Sequence, residues 1–62
     1  MNKLSRLAEY RKLRMLTQME LAQLSGVSRA AIAALEKGHR EAQPRTARKL
    51  AKVLKVKPGE LV

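Results

Sequence analysis

The sequence predicts an all-α fold, a compact bundle of five short helices, and three observations predict it. Apolar residues recur at helical spacing almost throughout, rather than in the alternation of a strand. Thr17 and Ser28 stand as helix-starting residues, with Gly26 and Gly38 as stops behind the helices they open. No repeat, low-complexity tract or linker interrupts the 62 residues, which places 1–62 in one small domain with one core.

The first helix is expected from about Asn2 to Arg14. Leu4, Leu7, Tyr10 and Leu13 recur every three residues and give it one apolar stripe, with Glu9, Arg11 and Lys12 mostly off it. Thr17 followed by Glu20 is a capping box: the threonine hydroxyl accepts from the Glu20 N–H, and the glutamate reaches back to the Thr17 N–H. A second helix therefore starts at Gln18, turns Leu21, Ala22 and Leu24 inward and stops at Gly26, where a left-handed residue costs nothing. Only Val27 separates that glycine from Ser28, a good N-cap. The alanine-rich stretch from Arg29 to Lys37 has strong helix propensity, and Gly38 ends it. After a polar loop from Gly38 to Pro44, a fourth helix from about Arg45 to Leu54 buries Ala47, Leu50, Ala51, Val53 and Leu54. Pro58 opens a last turn through Leu61.

Composition narrows the function. The net charge is +9, from 14 Lys and Arg against five acids, all of them glutamates, and such a balance favours a polyanionic partner. One Tyr with no Phe or Trp argues against the aromatic platforms on which single-stranded nucleic acids stack. Duplex DNA gains by that elimination. The longest apolar run, Ala30 to Leu35, is far below the roughly 20 residues of a membrane span. With no Cys, no Asp and one His, no catalytic constellation can be assembled and no metal or other cofactor is expected; His39 is taken as a solvated loop residue near a phosphate. Arg45, Arg48, Lys49, Lys52 and Lys55 read as a solvated outer face that adds long-range attraction to DNA.

The informative segment runs from Gln18 to Glu36. Ala22 is small where two helices cross, Gly26 supplies the turn, and Leu21, Val27, Ile32 and Leu35 fix the crossing angle, as in a helix-turn-helix. Arg29 lies in the first turn of the third helix, where its planar fork suits guanine O6 and N7, and the helix N-terminus favours a phosphate near Ser28. The stretch TQMELAQLSGVSRAAIAALEKG resembles the central motif of the lambda-repressor and Cro-type helix-turn-helix family, and flanking Leu7, Tyr10, Arg11, Leu16 and TARKLAKVLKVKPGEL extend the likeness over nearly the whole chain. The resemblance implies a recognition helix at about 28–37 in the major groove. By position it assigns Gln18 to a phosphate, and Ser28, Arg29, Ala30 and Ala34 to base edges and nearby phosphates. Lys37 joins this DNA-binding set, and Gly38, His39 and Arg40 match a backbone-touching loop. It pairs Arg11 with Glu36 in a partly buried salt bridge. Two departures stand out: alanines at 30, 33 and 34 where relatives carry polar residues, and Met15 where relatives often have glycine.

These features lead to a repressor-type transcriptional regulator, cytoplasmic in a bacterial or phage setting and nucleoid-associated when bound. It would act as a homodimer joined through Pro58 to Val62 on half-sites about 34 Å apart. The alternative is a protein-interaction module, such as the antitoxin half of a toxin-antitoxin pair, with a protein partner and secondary DNA binding. An enzyme, a membrane binder and a small-molecule sensor are not expected.

Overall fold

The computed structural model describes residues 3–62, and its regular elements are α1 (Leu7–Leu13), α2 (Gln18–Ser25), α3 (Arg29–Glu36), α4 (Pro44–Leu54) and a 3-10 turn (Pro58–Leu61). The fifth expected helix is thus this single tight turn. Its Glu60 N–H reaches only three residues back, to the Lys57 carbonyl at 2.9 Å.

The first helix is shorter than its pattern predicts. The expected start at Asn2 lies outside the described residues, and among those described the helix begins at Leu7. The reason is a competing bond: the Arg6 N–H donates to the Leu61 carbonyl at 2.9 Å, so this segment is tied to the far end of the chain. Leu4 sits in the turn before the helix, where its carbonyl accepts from the Leu7 N–H at 3.0 Å, and it is buried all the same. Three-residue spacing also drifts by about 60° per step on a helix of 3.6 residues per turn. Leu7 is therefore buried and Tyr10 half-buried, while Leu13, expected on the same stripe, is 65% exposed.

Leu24 shows the same drift on α2, being 63% exposed where Leu21, three residues earlier, is fully buried. Pro44, expected in the loop, is the first residue of α4, where its missing N–H is one the helix would leave unpaired anyway. Lys37 caps α3 rather than continuing it. In α4, Leu50, Ala51 and Leu54 are buried, while Ala47 and Val53 pack partly buried beside them.

One apolar cluster joins all these elements. Leu7 of α1, Leu21 of α2, Ile32 and Leu35 of α3, Leu50 and Leu54 of α4 and Leu61 of the last turn meet in it. Packing is ordered: α3 rests on α2 and α1, and α4 rests on α2 and the last turn. Each fully buried Leu or Ile contributes about 1.5–3 kcal/mol.

Met15 and Lys55, both following a helix, take left-handed backbone angles, with φ of 58° and 59°. At each, two hydrogen bonds close the helix end: Met15 N–H to Lys12 and Leu16 N–H to Arg11, then Lys55 N–H to Lys52 and Val56 N–H to Ala51. A Cβ in this region costs roughly 1–2 kcal/mol, and glycine avoids it at some expense in chain entropy. Met15→Gly and Lys55→Gly are therefore expected to raise stability by about 0.5–1 kcal/mol each in urea unfolding. Lys52→Gly, inside α4, should lower it by about 1 kcal/mol. Destabilisation by all three would refute the strain assigned to positions 15 and 55.

Candidate nucleic-acid interface

The turn between α2 and α3 sets the angle at which α3 is presented. Gly26 adopts φ 76° and its N–H closes α2 on the Ala22 carbonyl at 2.9 Å. The Thr17 capping box opens α2 with both bonds formed, Glu20 N–H to Thr17 Oγ1 at 3.0 Å and Thr17 N–H to Glu20 Oε1 at 2.8 Å. Ser28 starts α3 by accepting from the Ala31 N–H at 3.1 Å. Half-buried Ala22 and Val27 pack against the cluster that Leu21, Ile32 and Leu35 share.

A polar tie then fixes α3 against the first two helices. Arg11 donates through Nε to Glu36 Oε2 at 2.6 Å and through Nη2 to Oε1 at 3.1 Å, a bidentate pair whose side chains are only 12% and 7% exposed. Its third nitrogen, Nη1, donates to the Leu16 carbonyl at 2.8 Å and holds the corner that Met15 turns. Gln18 donates through Nε2 to Glu36 Oε1 at 3.0 Å. Sequence reasoning paired Arg11 with Glu36; it did not find the Gln18 bond, because α2 and α3 must be folded before those positions meet. Burial alone pushes the Glu36 carboxyl up, but hydrogen bonds from Arg11 and Gln18, with the charges of Arg11 and Lys12, outweigh it and hold the carboxyl below the usual carboxylate range. The Arg11 guanidinium is raised by the same hydrogen bond.

The outer face of α3 is what remains available. At about 100° per residue, Ala33, Lys37 and Ala30 fall within roughly 40–100° of Arg29, forming one strip, whereas Ala34 falls at about 140°. Arg29, Ala30 and Lys37 are exposed, and Ala33 and Ala34 are half-buried. Gln18 joins this strip from the start of α2, lining one shallow concavity with Arg29, Ala30, Ala33 and Lys37. Ala33 was missing from the sequence-derived set, although the wheel of a straight helix would have found it. His39 and Arg40 are exposed on the loop directly after α3. The strip carries cations and methyl groups, and the nearest acid, Glu36, is already consumed by Arg11 and Gln18. Such a face can dock on phosphates and donate hydrogen bonds to acceptors, but it has no carboxylate with which to repel DNA.

Comparisons with known proteins agree with this geometry. The sequence profile of a helix-turn-helix family matches residues 7–61. The crystal structure of the restriction-modification controller protein C.AhdI from Aeromonas hydrophila is similar, with a TM-score of 0.87 and 38% sequence identity, covering 94% of this chain and 88% of that one. No curated protein sequence gives a significant match.

Two outcomes are expected from the polar tie. Arg11→Ala leaves a buried carboxylate without its counter-charge and should cost about 3–5 kcal/mol, against a few tenths for exposed Lys12→Ala; equal shifts in thermal midpoint would remove the case for the tie. Because the folded-state Glu36 value is depressed, its contribution is full above the unfolded value near pH 4.3 and is lost as the pH falls below that. The gap in thermal midpoint between wild type and Glu36→Gln should therefore narrow from pH 6 down to pH 3, and a constant gap would contradict the ion pair as its source.

Proposed function

The chain belongs to the helix-turn-helix family, of the lambda-repressor and Cro type, and from that premise we propose that it is a small transcriptional regulator that binds double-stranded DNA sequence-specifically with α3 in the major groove. The observation that carries this reading is the strip of Arg29, Ala30, Ala33 and Lys37, presented outward by a helix whose opposite side is buried in the core through Leu35 and whose one acid, Glu36, is paired with Arg11 beside the strip. Arg29 grips a guanine in two hydrogen bonds, which discriminates by about 1–3 kcal/mol. Lys37, His39 and Arg40 take phosphates beside it, and Gln18 and Ser28 lie against the backbone on the other flank. Ser28 Oγ already accepts from the Ala31 N–H, so its hydroxyl hydrogen is the part left for a phosphate. Ala34 sits at the edge of the strip and contributes shape.

Binding as a two-fold dimer follows from the other end of the molecule. Between α4 and the last turn runs a mainly apolar groove lined by Leu4, Pro44, Ala47, Pro58, Gly59 and Val62 with Arg48 at its edge, and Val62 is 47% exposed. A second copy of the chain covers it, in the region the sequence assigned to dimer contacts. Repression is the mode of regulation that needs only occupancy, since a bound dimer excludes other proteins by bulk. The cationic strip favours this reading over a protein-docking module, whose contact core is depleted of charged side chains such as lysine.

Selection from a randomised duplex library tests the proposal. Wild type should enrich an inverted repeat with a guanine in each half-site, and Arg29→Ala should relax preference at that guanine alone. Failure of both chains to enrich any sequence would overturn sequence-specific binding.

A further inference from the structure

The side chains on the α3 strip also limit which bases it can accept, and this inference rests on the docking mode proposed above. We propose that Ala30 and Ala33 form a methyl-reading surface that takes the C5-methyl groups of thymine next to the guanine held by Arg29, so that the half-site presents α3 with guanine and thymine edges. Arg29 and Lys37 are the polar side chains of the strip; Arg carries five N–H donors, Lys three, and neither has an acceptor. The remaining acceptors nearby are spoken for or peripheral. Both Glu36 oxygens are bonded and Ser28 Oγ accepts from Ala31, while Gln18, whose Nε2 donates to Glu36, keeps its Oε1 acceptor on the α2 flank that the docking mode gives to the phosphate backbone.

In the major groove, adenine and cytosine each present an amino donor, which Arg29, Lys37 and the two alanines cannot satisfy. Guanine presents two acceptors, and thymine one acceptor and a methyl group. Donors and methyls are the two chemistries this strip supplies. Alanine also keeps the strip thin. With one methyl each at positions 30 and 33, nothing holds the helix backbone off the floor of the groove, and the shallow concavity between Gln18, Arg29 and Lys37 admits base edges there. Ala30 is exposed and Ala33 half-buried, so the surface is continuous with the protein rather than a pair of mobile tips.

The test uses the selected half-site with each thymine replaced in turn by deoxyuridine, which removes the methyl and nothing else, and reads Kd by fluorescence anisotropy. Burying one methyl predicts about a threefold to fourfold loss at thymines under Ala30 and Ala33. No loss is expected at thymines outside the half-site. Where cytosine replaces such a thymine, 5-methylcytosine should bind more tightly than cytosine. Ala30→Gly supplies the protein-side control: the ratio of the deoxyuridine Kd to the thymine Kd should fall towards one in that variant, and this ratio is independent of any loss of stability. If deoxyuridine has no effect anywhere in the half-site while Arg29→Ala still relaxes the guanine, α3 docking stands and the methyl-reading surface is overturned. If no sequence is enriched at all, both fall together.

Discussion

Glu36 is the point to which three of the four helices are tied, and the presentation of α3 depends on it. Its two oxygens take three hydrogen bonds, two from Arg11 of α1 and one from Gln18 of α2. Among the described residues, α3 is otherwise held mainly by apolar burial of Ile32 and Leu35. Apolar burial is strong but non-directional, and it would tolerate rotation of α3 about its axis. A planar guanidinium fork tolerates little, since both N–H bonds must align with one carboxylate. The core thus supplies cohesion and the tie supplies the angle. Rotating α3 by one residue, about 100°, would carry Arg29 and Ala33 off the outer face, so the same bond that fixes the fold fixes which side chains face the groove.

Much of this was legible from local signals. Thr17 with Glu20, Gly26, Ser28 and Gly38 each act through atoms within five residues, so sequence spacing is enough to read them. Errors arose where the determinant was distant or angular. The start of α1 is set by a bond from Arg6 to Leu61, which no local pattern contains. Leu13 and Leu24 match the apolar spacing yet face solvent, because each step of three residues turns through about 60° on the helix. Met15 shows a third kind of case. Its left-handed conformation follows from the need to turn the chain there, with Arg11 Nη1 on the Leu16 carbonyl as reinforcement, and the side chain accepts the strain by pointing into solvent at 89% exposure.

The candidate interface was partly legible for the same reason. Arg29, Ala30 and Lys37 could be placed because a capped helix fixes their directions from its first residue. Ala34 and Ala33 differ by one position, yet one flanks the strip and the other lies in it, a distinction that the 100° step of a straight helix draws and that position-by-position likeness to a family does not. The family resemblance assigns Gln18 to a phosphate, and in the structure its amide nitrogen is committed to Glu36. Such a bond orients the side chain before any ligand arrives, and pre-ordering of this kind lowers the entropy lost on binding.

The charge of the chain links binding to folding. Arg45, Arg48, Lys49 and Lys52 lie on the exposed face of α4, at spacings of three and four that place like charges side by side. Each such pair opposes the helix by about 0.2–0.5 kcal/mol. No acid lies in the first turn of α4, where one would favour the helix, and the net charge of +9 acts against the compact state as a whole. The core that resists this repulsion is small, with no disulfide to assist it. A ligand that binds only the folded chain adds its binding free energy to stability. A polyanion does so while also screening the repulsion among these side chains, so the charge that weakens the free helix favours a polyanion-bound state.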